Sequence, residues 1–316
     1  MQILSLPDMT PTASVPGGGV WVLGFFDGVH AGHQKLLAAA GELAEKQGED
    51  RNVGVWTFAS LPKAEEMLTD AGERAQLLGN GGVRWLAVED FAAVSGMSGE
   101  AFFHEVLLAH FAPSAIVCGF NFRFGHKGES TAQDLVKWGQ AEGICVHVAP
   151  PYPDAACPVS STRIRMLIRE GDLETAGQLL TRPYSIAGIV EHGKALGRKL
   201  GFPTANLRLP PHKTVPARGI YACKVRFADE AGQEQTRWGV CNIGSRPTVN
   251  GDSSDVTVET WILDFSGDLY GRELRVYLYR RIREEMQFRT LEALRSQVMQ
   301  DAETVRAWFT AGDAAL

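Results

Sequence analysis

The sequence predicts an α/β domain built on a parallel sheet, followed by a small antiparallel β-barrel domain with a closing helix. Three observations carry this reading. The chain has 316 residues, about twice the ~150 residues of a typical single core. Up to about Leu180, short apolar runs alternate with helical stretches, the pattern of a parallel sheet with helices on both faces. From Tyr184 onward, strand-like runs are separated by glycine, proline and polar turns at the spacing of a small barrel, and one amphipathic helix closes the chain. The boundary is expected near Arg182, giving domains 1–181 and 182–316, with no internal repeat.

Val20–Leu23 reads as a buried strand and residues 34–40 as the helix behind it, so residues 24–33 form the connecting turn. Strands follow at Val53–Phe58, 85–88, 115–118 and Cys145–Ala149, with helical stretches near 71–78, 99–110 and 131–142. Pro150, Pro151 and Pro153 can continue neither a helix nor a central strand, so they mark a loop. The loop leads into a helix whose start carries Ser160, Ser161 and Thr162, side chains suited to capping. In the second half, 184–190, 219–227, 236–243, 256–263 and 274–279 read as strands. The last helix spans about 290–309, with Leu291, Leu294, Val298, Val305 and Phe309 on its apolar side.

Composition is that of an ordinary globular protein, 45% hydrophobic and 22% charged. A net charge of -6 supplies no global basic field for nucleic acid. The five cysteines show no Cys-x-x-Cys pair, which argues against a zinc or redox centre. The N-terminus lacks the basic and long apolar regions of a secretory signal, and no apolar run reaches the roughly 20 residues needed to span a bilayer. A cytoplasmic enzyme or binding protein is expected.

The first candidate site is Gly24-Phe25-Phe26-Asp27-Gly28-Val29-His30-Ala31-Gly32-His33. Glycines at a strand-to-helix turn let backbone N–H groups approach an anion at the positive end of the helix dipole. His30 and His33 are placed to donate to phosphate oxygens; the alternative is a plain glycine turn with one packed and one solvated histidine. Ser161, Thr162 and Arg165 form a second phosphate-suited cluster at a helix start, or else a cap with a surface arginine. Gly119-Phe120-Asn121-Phe122-Arg123-Phe124-Gly125 offers rings to stack on a planar ligand, or three packed core phenylalanines.

In the second half, Gly193 to Gly201 is a glycine-rich basic loop followed by Pro203-Thr204-Ala205-Asn206. Thr204 and Asn206, two apart on an extended segment, share a side and offer oxygens to Mg²⁺, a hard cation. The loop is not a Walker A motif. Alternation in 256–263 puts Glu259 on one face with Thr257 and Trp261. If that face is the inner one, the carboxylate needs a partner such as an arginine, or a role such as general base.

Together, Gly-Phe-Phe-Asp-Gly-Val-His-Ala-Gly-His, Gly-Phe-Asn-Phe-Arg-Phe-Gly, Ser-Ser-Thr-Arg-Ile-Arg and Pro-Thr-Ala-Asn, in this order, resemble the prokaryotic bifunctional riboflavin kinase/FAD synthetase family. The resemblance runs from about Trp21 to Ala307. It implies a Rossmann-like HxGH nucleotidyltransferase domain and a Greek-key barrel kinase domain. By resemblance, His30 and His33 contact the ATP phosphates and transition state within a site formed by Gly24, Phe25, Asp27, Gly28 and Gly32. Ser161, Thr162 and Arg165 hold the triphosphate, and Asn121, Phe122 and Phe124 lie at the flavin. In the kinase domain, Thr204 and Asn206 bind Mg-ATP, Gly193, Gly197 and Arg198 cover the phosphates, and Glu259 deprotonates the ribityl 5′-hydroxyl. Arg283 and Phe288 match a segment near the flavin. The implied partners are riboflavin, FMN, FAD and ATP, with flavoenzymes as downstream acceptors of FAD and neither nucleic acid nor membrane.

The chain departs from the family where Thr-Phe-Asp-Pro-His-Pro is usual. It has Thr57-Phe58-Ala59-Ser60-Leu61-Pro62-Lys63, with Ala59 for the acid and Leu61 for the histidine, and Lys63 nearby. A riboflavin kinase with a weakened transferase domain, or a non-catalytic flavin sensor on the same scaffold, are the alternatives to a bifunctional enzyme.

Overall fold

The computed structural model describes residues 1–5, 18–48, 52–60, 66–152, 158–193, 196–229, 231–246 and 255–312. These fall into two compact units, Met1–Ser161 and Thr162–Leu316.

In chain order, the first unit contains β1 (Gln2–Ser5), β2 (Val20–Leu23), α1 (Ala31–Lys46), β3 (Val53–Phe58), α2 (Ala71–Asn80) and β4 (Trp85–Glu89). Helix α3 (Phe91–Val94) follows, and α4 (Gly99–Ala101) runs through a π-helical stretch, Phe102–Leu108, into α5 (Ala109–Phe111). Then come β5 (Ala115–Gly119), a small hairpin of β6 (Arg123–Phe124) and β7 (Ser130–Thr131), α6 (Ala132–Ala141) and β8 (Cys145–Ala149).

Trp21 and Leu23 project from one face of β2 and Val20 and Val22 from the other, and each is at most 1% exposed. A strand buried on both faces is central to its sheet. The order is β1-β4-β3-β2-β5-β8, all parallel. One face packs Trp21, Trp56 and Phe102 with Leu135 of α6; the other packs Val22 and Val55 against Leu36 and Leu37 of α1. Gly54 makes room for this: a Cβ there would lie 2.7 Å from the Trp21 ring. The chain leaves β2 for β3 on one side and returns to β5 on the other, so the strand order reverses between β2 and β5. Open α/β sheets bind ligands at the carboxyl ends beside such a reversal.

Details of this unit differ from the sequence reading. The strand β1 was not anticipated; it is four residues long and sits at the sheet edge beside β4, too short to show a period. Helix α1 begins at Ala31 rather than Gln34, because the His30 side chain caps it and accepts from His33 N.

The second unit contains α7 (Ser161–Glu170, whose first residue belongs to the first unit) and α8 (Leu173–Leu180). Helix α8 is capped by Asp172 and, at eight residues, was missed in the sequence. Then follow β9 (Tyr184–Glu191), α9 (Leu196–Leu200), β10 (Thr204–Arg208), β11 (Gly219–Ala228), β12 (Glu234–Arg246), β13 (Asp255–Ile262), β14 (Glu273–Arg283) and α10 (Leu291–Thr310). The strands close into an antiparallel barrel in the order β10-β13-β12-β11-β14-β9. Its interior holds Val225, Cys223, Leu274, Val276 and Leu278, all fully buried. Helix α10 covers part of the outer wall, packing Ala302, Val305 and Phe309 on Ile220, Ala222 and Val240. Among the described residues no helix is long and apolar enough to cross a membrane.

Candidate active sites

The loop after β2 sits at the strand-order reversal and is held in a costly conformation. Phe26 and Val29 have φ of 59° and 39°, Gly28 has φ of 82°, and a β-branched residue at positive φ is a genuine outlier. Such strain, of order 1–3 kcal/mol per residue, persists only where neighbours over-determine it. Asp27 supplies much of that. Its buried carboxylate accepts from Leu68 N (2.8 Å), Thr69 N (3.2 Å) and Thr69 Oγ1 (3.4 Å), while Gly28 N donates to Thr69 Oγ1 (3.0 Å). The Asp27 carbonyl accepts from Ser161 Oγ at 2.9 Å. Asp27 thus fixes the loop through its own carboxylate. We expect Asp27→Ala to cost about 1–3 kcal/mol of stability for the buried donors it strands, read as a lower midpoint in urea unfolding.

His30 is 6% exposed, and its Nδ1 accepts from His33 N at 3.4 Å. Accepting at Nδ1 places the proton of the neutral ring on Nε2. The two imidazoles stack, with centroids 3.7 Å apart and planes 15° apart, and Phe26 lies 5.0 Å from His33. Gly32 permits this: a Cβ there would come within 3.2 Å of the His30 ring. Both rings therefore stand at the start of α1, where the helix presents its amide donors.

Across the reversal, Phe122 N donates to Gly119 O (3.0 Å) in a tight turn after β5, with Asn121 exposed at its corner. Phe122 stacks on Phe124 at 5.5 Å. Phe124 itself is 7% exposed and packs among Phe102 and Trp138, so it is a core side chain. Phe120 is 51% exposed. At the start of α7, Arg165 Nη2 donates to Thr162 Oγ1 at 3.2 Å. Leu61 and Lys63 lie outside the described residues, whereas Ala59 is described, with its N–H on Glu89 O at 3.0 Å.

Sequence reasoning missed Arg74 beneath this loop. It is 2% exposed, donates through Nη2 to Phe58 O (2.8 Å) and Ala59 O (3.0 Å), and lies over the Phe25 ring at 4.7 Å. Burial lowers its pKa, and the Asp27 and Asp70 carboxylates oppose that. Nothing in the local pattern of α2 marks it, since a helix arginine is usually solvated.

In the second unit a cavity of about 240 Å³ lies between the barrel wall and α10. Gly197, Thr204, Glu259, Arg283 and Phe288, all singled out from the sequence, line it. Its walls mix Trp261, Val240, Ile220 and Phe288 with the polar side chains of Thr204, Glu259 and Arg283. The face that carries Glu259 corrects the conditional expectation of an inner one. Val258, Thr260 and Ile262 fill the barrel interior, so Glu259 and Trp261 point outward, under α10. A partly solvated carboxylate needs no arginine there. Among the described residues its hydrogen-bond partner is Thr204 Oγ1, which donates to Oε2 at 3.4 Å.

Strand register orders the site. Glu259 faces Asn206 of β10 on one side and Asn242 of β12 on the other; Asn242 faces Ile220 of β11, and Ile220 faces Arg283 of β14. Direct partners share a face of the sheet, so Asn206, Glu259, Asn242, Ile220 and Arg283 form one row across five strands.

Arg283 is held at the end of this row by Asp301 of α10. Its Nε donates to Oδ1 (2.9 Å) and its Nη2 to Oδ2 (2.7 Å), and Gln297 Nε2 also donates to Oδ1 (3.1 Å). The side chains are 16% and 3% exposed. Asp301 was not foreseen, because its partner Arg283 lies eighteen residues earlier, in a strand rather than in α10. Removing one member of a buried pair strands the other charge, at about 3–5 kcal/mol. Asp301→Ala is therefore expected to lower the unfolding midpoint and to release Arg283 from the cavity wall.

Thr204 also lines a smaller cavity of about 70 Å³ with Arg198, Asp268 and Tyr270. Arg198 Nη2 donates to Tyr270 Oη at 3.4 Å, and His192 stacks on the Tyr270 ring at 3.8 Å. The glycine-rich loop is not irregular throughout: it contains α9, in which Gly197 is buried against Phe202. Gly193 abuts Asn206, whose amide would meet a Cβ there at 2.5 Å. Lys194 lies outside the described residues.

Thr204 and Asn206 share the outer face of β10, with Leu207 turned inward. They offer only neutral oxygens, beside a carboxylate. That donor set fits a hard divalent cation completed by water and phosphate. Among the described residues no group of three or more His, Cys, Asp or Glu could hold a metal ion.

The comparisons with known proteins agree with this two-part layout. The family model for FAD synthetase matches residues 13–163 and that for riboflavin kinase residues 180–309. A bifunctional riboflavin kinase/FMN adenylyltransferase of Listeria monocytogenes is 35% identical over 299 residues, 92% of each chain. The Escherichia coli K12 protein of the same name is 34% identical, covering 92% of this chain and 93% of its own. A solved structure described as a macrolide-efflux protein from Streptococcus pneumoniae superposes with a TM-score of 0.86 at 32% identity, covering 97% of this chain and 99% of that one.

Proposed function

Because this chain belongs to the bifunctional riboflavin kinase/FMN adenylyltransferase family, with both transferase activities, we propose where each reaction runs. Phosphorylation of riboflavin to FMN takes place in the cavity under α10, and transfer of AMP from ATP to FMN at the carboxyl edge of the parallel sheet. The observation that carries the kinase assignment is Glu259 beside Thr204 on a cavity that also holds Arg283 and Phe288. The functional domains are 1–181 and 182–316, with α7 and α8 read as the end of the first by sequence.

In the kinase step, Glu259 accepts the proton of the ribityl 5′-hydroxyl as its oxygen attacks the γ-phosphorus of ATP and ADP departs. Thr204 and Asn206 are the residues that would hold Mg²⁺, whose chemistry when bound is to neutralise charge on the phosphate oxygens. Gly193, Gly197 and Arg198 cover the phosphates, Arg198 from the smaller cavity. Phe288, over which Arg283 lies at 6.0 Å, flanks the flavin.

In the adenylyl step, an FMN phosphate oxygen attacks the α-phosphorus and pyrophosphate leaves. His30 and His33 donate to the phosphate oxygens, and Gly24, Phe25, Gly28 and Gly32 form the turn that lets the anion approach the start of α1. Asn121 and Phe122 flank the flavin. The part that the resemblance gives Ser161, Thr162 and Arg165 rests on their motif. Free thiols at Cys118, Cys145, Cys223 and Cys241 suit a cytoplasmic setting, with flavoenzymes as acceptors of the FAD and no nucleic-acid or membrane partner.

Incubation of the protein with riboflavin and Mg-ATP, followed by chromatography, tests the assignment. FMN should appear first and FAD after it. FMN without FAD leaves the sheet-edge site unsupported, and neither product would remove both assignments.

A further inference from the structure

Asn242 lies in the cavity row but has no part in either transfer step. It lines the cavity, and its Oδ1 is buried with no hydrogen-bond partner among the described residues. A buried acceptor left unmade is costly, so it calls for a donor from elsewhere. Ile220 of the next strand offers none, and the Glu259 carboxylate on the other side is an acceptor.

The row also says which part of a flavin reaches it. Neighbouring strands stand ~4.8 Å apart, so Asn242 is one strand from Glu259, whereas Arg283 is three strands from it. With the 5′-hydroxyl at Glu259, the next hydroxyls of the polyol come level with Asn242. The ring then lies over Ile220, toward Arg283 and Phe288. We propose that Asn242 Oδ1 accepts a hydrogen bond from an internal hydroxyl of the ribityl chain, and so selects flavins that carry a polyol tail. This rests on the kinase site proposed under α10.

The test is the kinetics of FMN formation by wild type and Asn242→Leu, with lumiflavin, a flavin ring lacking the polyol, as a competitive inhibitor. FMN is made only at the kinase site, so flavin held elsewhere does not enter the readout. Asn242→Leu should raise KM for riboflavin about ten- to a hundredfold, with kcat changed far less. The lumiflavin inhibition constant should stay within about twofold, and the melting temperature should not fall, because the variant removes a stranded acceptor. An unchanged KM overturns the proposal, and so does a lumiflavin constant that rises in step with KM. If the leucine variant does not fold, Asn242→Ala is read by the same criteria. Wild type that makes no FMN would instead sink the kinase-site reading itself.

Discussion

Glu259→Gln should lower FMN formation from riboflavin by about 10²- to 10⁴-fold, the usual worth of a positioned general base, while leaving FAD formation from supplied FMN intact. The effect originates in the strand. Alternation along β13 puts Val258 and Thr260 in the barrel interior and Glu259 on the face beneath α10. There it meets Thr204 Oγ1 at 3.4 Å and opens onto a cavity with an apolar wall. Glutamine keeps the shape and can still hydrogen-bond Thr204, but it cannot take a proton. The loss should therefore fall on kcat, with KM for riboflavin little changed. The unfolding midpoint should match wild type, because Glu259 is in no buried ion pair among the described residues.

His33→Ala should lower FAD formation from FMN by about 10²- to 10³-fold, the cost of removing one donor to transition-state charge, and leave riboflavin phosphorylation unaffected. His33 stacks face to face on His30, and Gly32 between them leaves room for the rings. Its backbone N–H is what His30 Nδ1 caps, so the substitution keeps the cap and removes only the ring. Assays with supplied FMN and with riboflavin separate the two activities in one preparation. A folded variant that lost both would show that His33 does not serve adenylyl transfer alone.

The α/β half was legible because its central strand is apolar on both faces and its motif falls where the chain enters a helix. Asn121 and His30 were legible as neighbours of strand ends, and the sheet order puts those ends side by side. The local role of Asp27 was not, since its partners Leu68 and Thr69 lie some forty residues on. Arg74 was hidden for the same reason. In the barrel, Thr204, Glu259 and Arg283 each stood out by chemistry or motif, yet their alignment depends on register across strands. That register includes an irregularity between Ile220 and Tyr221, which no period in the sequence reveals. The covered outer face was missed because α10, not the strand itself, decides which side of β13 holds the cavity. Phe124, one of three similar aromatics, became core through contacts from α6 and the π-helical stretch. The Ala59 carbonyl is bound by Arg74, so this strand end is anchored through its backbone.

The proposed assignment puts two independent sites in one chain, one for each transfer. The most direct measurement mixes purified Glu259→Gln and His33→Ala with riboflavin and Mg-ATP and follows FAD. Each variant alone should yield little or no FAD; His33→Ala should accumulate FMN, and the mixture should convert it to FAD at a rate near that of wild type with supplied FMN. Little or no FAD from the mixture, or full conversion by either variant alone, would contradict the assignment of these residues to separate reactions.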